Sequence, residues 1–156
     1  MKNGYLVITG RIEKELASIE KVFKRTILIW NKGAIIGDDM YIDATALNLQ
    51  SLYTGIEKIF CIIAEGIDSY KPNSFSWHKS LIHQMGSEIK DVRPKVISNE
   101  LVDALNPYLG FRHVVRNVYT YTLDPDQIQL LVNKLEYVIN QLKKKLSVFM
   151  NFLEKI

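Results

Sequence analysis

Cysteine, proline and long apolar runs are what this 156-residue chain has least of, and each scarcity narrows what it can be. Cys61 is the only thiol, so no intrachain disulfide can form, and its setting in Ile59-Phe60-Cys61-Ile62-Ile63 predicts a buried apolar position rather than a reactive one. No stretch is apolar for long enough to cross a bilayer. Arg11, Glu13, Lys14 and Glu15 also interrupt the N-terminal region before a signal-peptide core could form, so a cytoplasmic location without a membrane partner is expected. Glycine-rich phosphate loops, Cys/His clusters and paired Glu-x-x-His motifs are missing too, and no metal or cofactor is expected. The acidic pairs Asp38-Asp39 and Asp124-Pro125-Asp126 have no further acids in register and read as helix starts. Nor does one sign of charge dominate: a net charge of +3 permits an RNA partner without requiring one.

What the chain does have is helical periodicity. With 47% hydrophobic residues and no linker, repeat or low-complexity tract, residues 1–156 should form a single domain around one core. Ile8, Ile12, Leu16, Ile19, Phe23 and Ile27 recur at helix spacing and predict a long first helix from Leu6 to Trp30. Gly33 and Gly37 punctuate it, and a second helix is expected from about Met40 to Ile67, burying Leu49, Leu52, Ile56, Ile59 and Ile63 with Gly55 at a close helix approach. A loop over Ser69–Ser76 leads to a short helix from Trp77 to Ile89, where His78 and His83 fall on different sides and are better suited to solvent or tertiary hydrogen bonds than to a shared metal.

Val92-Arg93-Pro94-Lys95 reads as a connector, and Ser98 as the cap of a fourth helix in which Pro107 should force a kink or break before Gly110. Asp124-Pro125 then starts a last helix whose apolar residues Ile128, Leu131, Leu135, Val138, Leu142, Leu146, Phe149 and Leu153 form the most regular stripe in the chain. That stripe suits packing within its own bundle, or an extension to a second chain; Lys143-Lys144-Lys145 reads as a solvated edge. The expected fold is all-α, about five helices around an antiparallel four-helix bundle.

The densest chemistry lies in Phe111-Arg112-His113-Val114-Val115-Arg116-Asn117-Val118-Tyr119. On a continuous helix Arg112, Arg116 and Tyr119 would share one face, with His113 and Asn117 on the next. Such a strip suits a phosphodiester: cations stabilise the charge of a phosphorane, an imidazole moves a proton, and a phenol hydrogen-bonds the substrate. Taken alone, the motif is weakly specific, and the same residues would better be read as surface ion pairs and a packed ring.

This segment resembles the Arg-x4-His-x-Tyr signature of HepT-like toxins, helical proteins of the HEPN superfamily. The likeness extends through Gly110-Phe111, Thr122-Leu123-Asp124-Pro125, Ile56-Glu57-Lys58-Ile59 and Trp77-His78-Lys79. The resemblance implies a toxin of a toxin–antitoxin pair: a metal-independent RNA endonuclease acting on tRNA or messenger RNA, with a composite site across a homodimer. It further implies a small nucleotidyltransferase antitoxin that transfers AMP to the motif tyrosine. By position, Arg112 matches the catalytic arginine and Tyr119 the modified tyrosine. The chain has no features of the nucleotidyltransferase itself.

One position departs from the signature: Asn117 stands where the family has its catalytic histidine. A carboxamide hydrogen-bonds but does not transfer protons near neutral pH. Catalysis would then need His113, one turn earlier, to move the proton, or Asn117 only to orient the phosphate while another group does so. The alternative is a catalytically degenerate module that binds the nucleotidyltransferase or RNA without cleaving. The candidate site is therefore Arg112, His113, Asn117 and Tyr119, with Arg116 as a substrate-binding cation.

Overall fold

Apolar residues returning every three or four positions are buried by five α-helices in the computed structural model, which describes residues 2–156. They are α1 (Lys2–Ile36), α2 (Met40–Ile63), α3 (Trp77–Met85), α4 (Asn99–Asn117) and α5 (Pro125–Lys155). No strand occurs among the described residues, so the all-α bundle is as expected. Helices α1, α2, α4 and α5 form the four-membered layer, and α3 packs on α2 and α4.

The long helices pair through simple contacts. Gly37, at φ +73°, closes the α1–α2 turn by donating its N–H to Gly33 O, and Asp38 Oδ1 accepts from Met40 N at 2.9 Å. Asp38 thus has the helix-start role expected of the acidic pair, whereas Asp39 occupies the cap position without a side-chain bond. Farther along the same pair of helices, a Cβ on Gly55 would stand 2.9 Å from Ile19 Cγ1, so the missing side chain is what admits α1 against α2. Lys143 on α5 pairs with Glu20 on α1, and the Tyr108 hydroxyl of α4 donates to Leu131 O of α5 at 2.6 Å.

The predicted core is the observed one. Leu49, Leu52, Ile56, Ile59 and Ile63 of α2 are buried, as are all eight residues of the α5 stripe, which is thereby consumed within its own chain. On α1, Ile8, Ile12 and Ile19 are buried while Leu16, Phe23 and Ile27 lie partly covered against the same core. Each fully buried Leu, Ile or Phe is worth about 1.5–3 kcal/mol relative to exposure, which is why the stripe decides the fold.

Four points differ from the sequence reading. The first helix runs from Lys2 to Ile36, through Gly33 to the Gly37 turn, rather than from Leu6 to Trp30. The second helix widens after Ile63 into one π turn, Ala64–Asp68, ended by Ser69 at φ 55°. The third helix stops at Met85 rather than Ile89. Gly86 follows it, Ser87 Oγ donates to His83 O, and Met85 O instead accepts from Val96 and Ile97 N–H. Pro107 does not break α4, which runs unbroken from a Ser98 cap to Asn117. The proline sits on the exposed side, and Leu105, Tyr108 and Phe111 are buried on either side of it, so packing holds the helix through the missing hydrogen bond.

The segment read as a connector holds a buried arginine. Arg93 is 3% exposed and its guanidinium spends every donor: Nε and one terminal nitrogen clasp both oxygens of Asp68 at 2.5 and 2.8 Å, and the rest reach Ser87 O, Pro94 O and Gln84 O. Gln84 Nε2 adds a further bond to Asp68. The π turn supplies the acid, so the end of α2, the end of α3 and the start of α4 meet at one ion pair. Removing one partner strands a buried charge, and Arg93→Met is expected to cost about 3–5 kcal/mol in urea unfolding, with Asp68→Leu added to it recovering a large part. A loss below about 1 kcal/mol for the single variant would show the pair to be dispensable.

Candidate functional site

Helix α4 carries the strip as far as Asn117 and then ends. Phe111 is buried and anchors the segment, Val114 and Val115 are partly covered by the core, and Arg112 emerges half-buried beside them. His113, Arg116 and Asn117 are exposed on the last turns. Val118 is already extended, at φ −126° and ψ 161°, and so is Tyr119. The phenol therefore does not share a helical face with Arg112 and Arg116, in contrast to the sequence reading; it lies past the helix end. Two β-branched valines at 114 and 115 and another at 118 favour extended geometry, and Asn117 is a common helix-terminating residue, which is why the helix stops there.

Asn117 turns back onto its own helix. Its Nδ2 donates to His113 O at 2.7 Å and lies 3.4 Å from His113 Nδ1, so the imidazole and the carboxamide expected on one face are brought together.

Sequence reasoning missed a buried polar residue of α2: Tyr53, 1% exposed, lies within electrostatic range of the Arg112 guanidinium. Neither the Tyr53 hydroxyl nor Arg112 Nε has a hydrogen-bond partner, although both are buried atoms. Burial pushes the Tyr53 pKa well above its ordinary value, Glu57 pushes it further, and the Arg112 cation opposes both. Tyr53, Glu57 and Cys61 follow one another at i, i+4 and i+8, forming a polar line down an otherwise apolar face. That spacing was the available signal.

The rest of the line is paired. Glu57 Oε2 accepts from His78 Nδ1 at 2.5 Å, the tertiary bond expected of that histidine. The Trp77 ring stacks on His78 with centroids 3.7 Å apart, and Lys71 Nζ lies 4.9 Å from the Trp77 centroid. Cys61 is half-buried rather than fully covered. Burial raises its thiol pKa against the pull of Lys71, which keeps it protonated and unreactive near neutral pH.

Beyond the helix, Tyr119 and Tyr121 stand 76% and 83% exposed with rings stacked at 5.8 Å between centroids and 13° between planes. The short 3-10 turn Thr120–Thr122 holds them: Thr122 Oγ1 donates to Tyr119 O at 2.7 Å, and Leu123 is buried behind. Asp124 caps α5 by accepting from Asp126 N at 3.0 Å, with Pro125 as first helical residue, as expected.

A hollow of about 530 Å³ opens between α1 and α2, lined by residues such as Glu15, Gln50, Thr54 and Lys58, and no strip residue borders it. Among the described residues no group of three or more His, Cys, Asp or Glu could hold a metal ion. No helix among them is long and apolar enough to cross a membrane.

Residues 44–153, most of the chain, match the family described as HepT-like protein. The chain belongs to the HepT-like family of the HEPN superfamily. The match runs from the first turns of α2 almost to the end of α5 and so contains Tyr53, Glu57, His78 and the whole strip, while α1 lies outside it. Comparison with curated proteins and with solved structures found no match.

The buried phenol of this HepT-like chain makes a pH prediction. An unfolded tyrosine loses its proton near pH 10.0 and folded Tyr53 only at higher pH, so its contribution is complete below about pH 10 and is lost as pH rises toward the folded value. Tyr53→Phe should cost little at neutral pH, where the orphan hydroxyl makes no bond, and should shallow the alkaline loss of stability seen by urea unfolding. Buried Tyr108 supplies the remaining slope. Identical alkaline slopes in wild type and variant would contradict the burial of Tyr53.

Proposed function

We propose that the chain is a single-domain RNA endonuclease, the toxin of a toxin–antitoxin pair, whose site is completed by a second copy of itself. The observation that carries this reading is the cluster at the end of α4: half-buried Arg112, whose Nε is a buried donor without a partner, followed within the next two turns by exposed His113, Arg116 and Asn117. Family membership supports it, since HepT-like members of the HEPN superfamily are generally ribonucleases. A cation held by packing loses little freedom when it meets a phosphate, so charge stabilisation is preorganised. His113, Arg116 and Asn117 are exposed in one chain, and twofold pairing would both exclude water and double the local charge.

In this reading Arg112 and Arg116 bind the scissile phosphate and stabilise the phosphorane. His113 exchanges protons with the reacting ribose and leaving oxygens, and Asn117 orients both the imidazole and the phosphate. The antitoxin, a small nucleotidyltransferase, transfers AMP to the exposed Tyr119 hydroxyl, setting a phosphate and a bulky nucleoside beside the same cations and closing the site to RNA.

A second reading has one specific observation in its favour. The Asn117 carboxamide is bonded back to its own helix and transfers no proton, which suits a module that docks the antitoxin or RNA without cutting.

Purified protein incubated with tRNA or messenger RNA in the presence of a chelator is expected to cleave it, and Arg112→Ala to lower the rate by about 10²- to 10³-fold. Intact RNA at high protein excess points to the second reading, and Asn117→His then should raise cleavage by roughly 10²- to 10⁴-fold. Co-expression with the antitoxin should add AMP to the intact mass of wild type and not of Tyr119→Phe; an unmodified Tyr119 in an active pair removes the regulatory step.

A further inference from the structure

Two large aromatic rings side by side in water need a reason. Tyr119 and Tyr121 are among the most exposed aromatic residues of the fold, yet the 3-10 turn fixes their backbone through Thr122 and the buried Leu123 rather than leaving it to wander. The rings are nearly parallel, so each turns a flat π face away from the other. AMP transfer accounts for a hydroxyl on Tyr119. It does not account for a second ring at position 121.

Electrostatics sorts what this turn can bind. It follows directly on the C-terminus of α4, whose last carbonyls carry partial negative charge, so a phosphate is favoured there only beside a cation such as Arg116 in the final turn. Phosphate contacts therefore fall to Arg112 and Arg116 on the helix, and the uncharged rings beyond are left for an uncharged, flat group. Nucleobases meet that description, and only unpaired ones expose a face, since those of a duplex are stacked on their neighbours.

We propose that Tyr121 is a stacking platform for an unpaired nucleobase of single-stranded RNA, adjacent to the phosphate held by Arg112 and Arg116. The inference rests on the ribonuclease reading and adds to it the substrate class: single-stranded segments or loops, bound through base faces with little dependence on base identity. Tyr119, stacked on Tyr121 in the free chain, supports the platform from its other side. AMP on Tyr119 would bring an adenine within the same neighbourhood, so the test uses unmodified protein.

Binding of a short 2′-O-methylated single-stranded oligonucleotide, which cannot be cut, is measured by fluorescence anisotropy beside the same oligonucleotide made abasic and a duplex of equal length. Wild type should bind the base-bearing strand tightest. Tyr121→Ala should weaken that binding by roughly 5- to 100-fold, leave the abasic strand unchanged and keep the far-UV circular dichroism of wild type. Tyr121→Phe, which keeps the ring, should bind within about twofold of wild type. Binding lost in Arg112→Ala and Arg116→Ala but unaffected by Tyr121→Ala overturns the platform and leaves the ribonuclease reading standing. An equal loss on the abasic strand also overturns it, as does a Tyr121→Ala protein that changes oligomeric state with no base-dependent effect, because the ring then serves a protein contact. If wild type binds no oligonucleotide, both readings fall together.

Discussion

The Arg93–Asp68 ion pair is the constraint on which the arrangement of helices depends. A guanidinium with all of its donors used, buried between the π turn after α2 and the backbone ends of α3, tolerates almost no displacement of any of those elements. Its position sets where Met85 hands its carbonyl to Val96 and Ile97, and hence where α4 begins under its Ser98 cap. From that start α4 packs along α2 and carries Arg112 to within electrostatic range of Tyr53. The placement of the strip thus depends on a structural ion pair that lies just before the start of the same helix.

The line Tyr53, Glu57 and Cys61 on α2 shows how a polar group is carried inside an apolar bundle. Glu57 is matched by His78, which is in turn covered by Trp77, whereas the Tyr53 hydroxyl and Arg112 Nε keep unspent hydrogen-bonding capacity. Buried polar atoms without partners are rare, and each costs on the order of 1–3 kcal/mol. Two such atoms within electrostatic range of each other mark the region as one whose polar groups are incompletely used by the fold itself. Stability alone would favour replacing them.

Much of the candidate site was legible in the chain. Arg112, His113, Arg116 and Asn117 are on α4, and His113 and Asn117 do meet. What misled was extrapolating helical spacing through Val118 to Tyr119, because periodicity has no term for where backbone hydrogen bonding stops. Pro107 misled in the other direction: the local rule predicts a break, and burial of Leu105, Tyr108 and Phe111 overrides it. Arg93 was invisible as a core residue, since nothing in Val92-Arg93-Pro94-Lys95 tells that Asp68, far away in the chain, waits in a π turn.

By itself the sequence determined the helices, their buried faces, the capped starts at Ser98 and Asp124 and the family to which the chain belongs. These follow from patterns that repeat within a few residues, where spacing translates directly into a shared face. Only the tertiary structure decided that Arg112 comes within electrostatic range of Tyr53, that Glu57 holds His78, that Arg93 is buried, and that Tyr119 stands beside Tyr121 beyond the helix rather than on it. Each of these joins residues from separate elements or depends on where an element ends, and the free energy that settles such questions comes from packing and desolvation, which a local pattern does not contain.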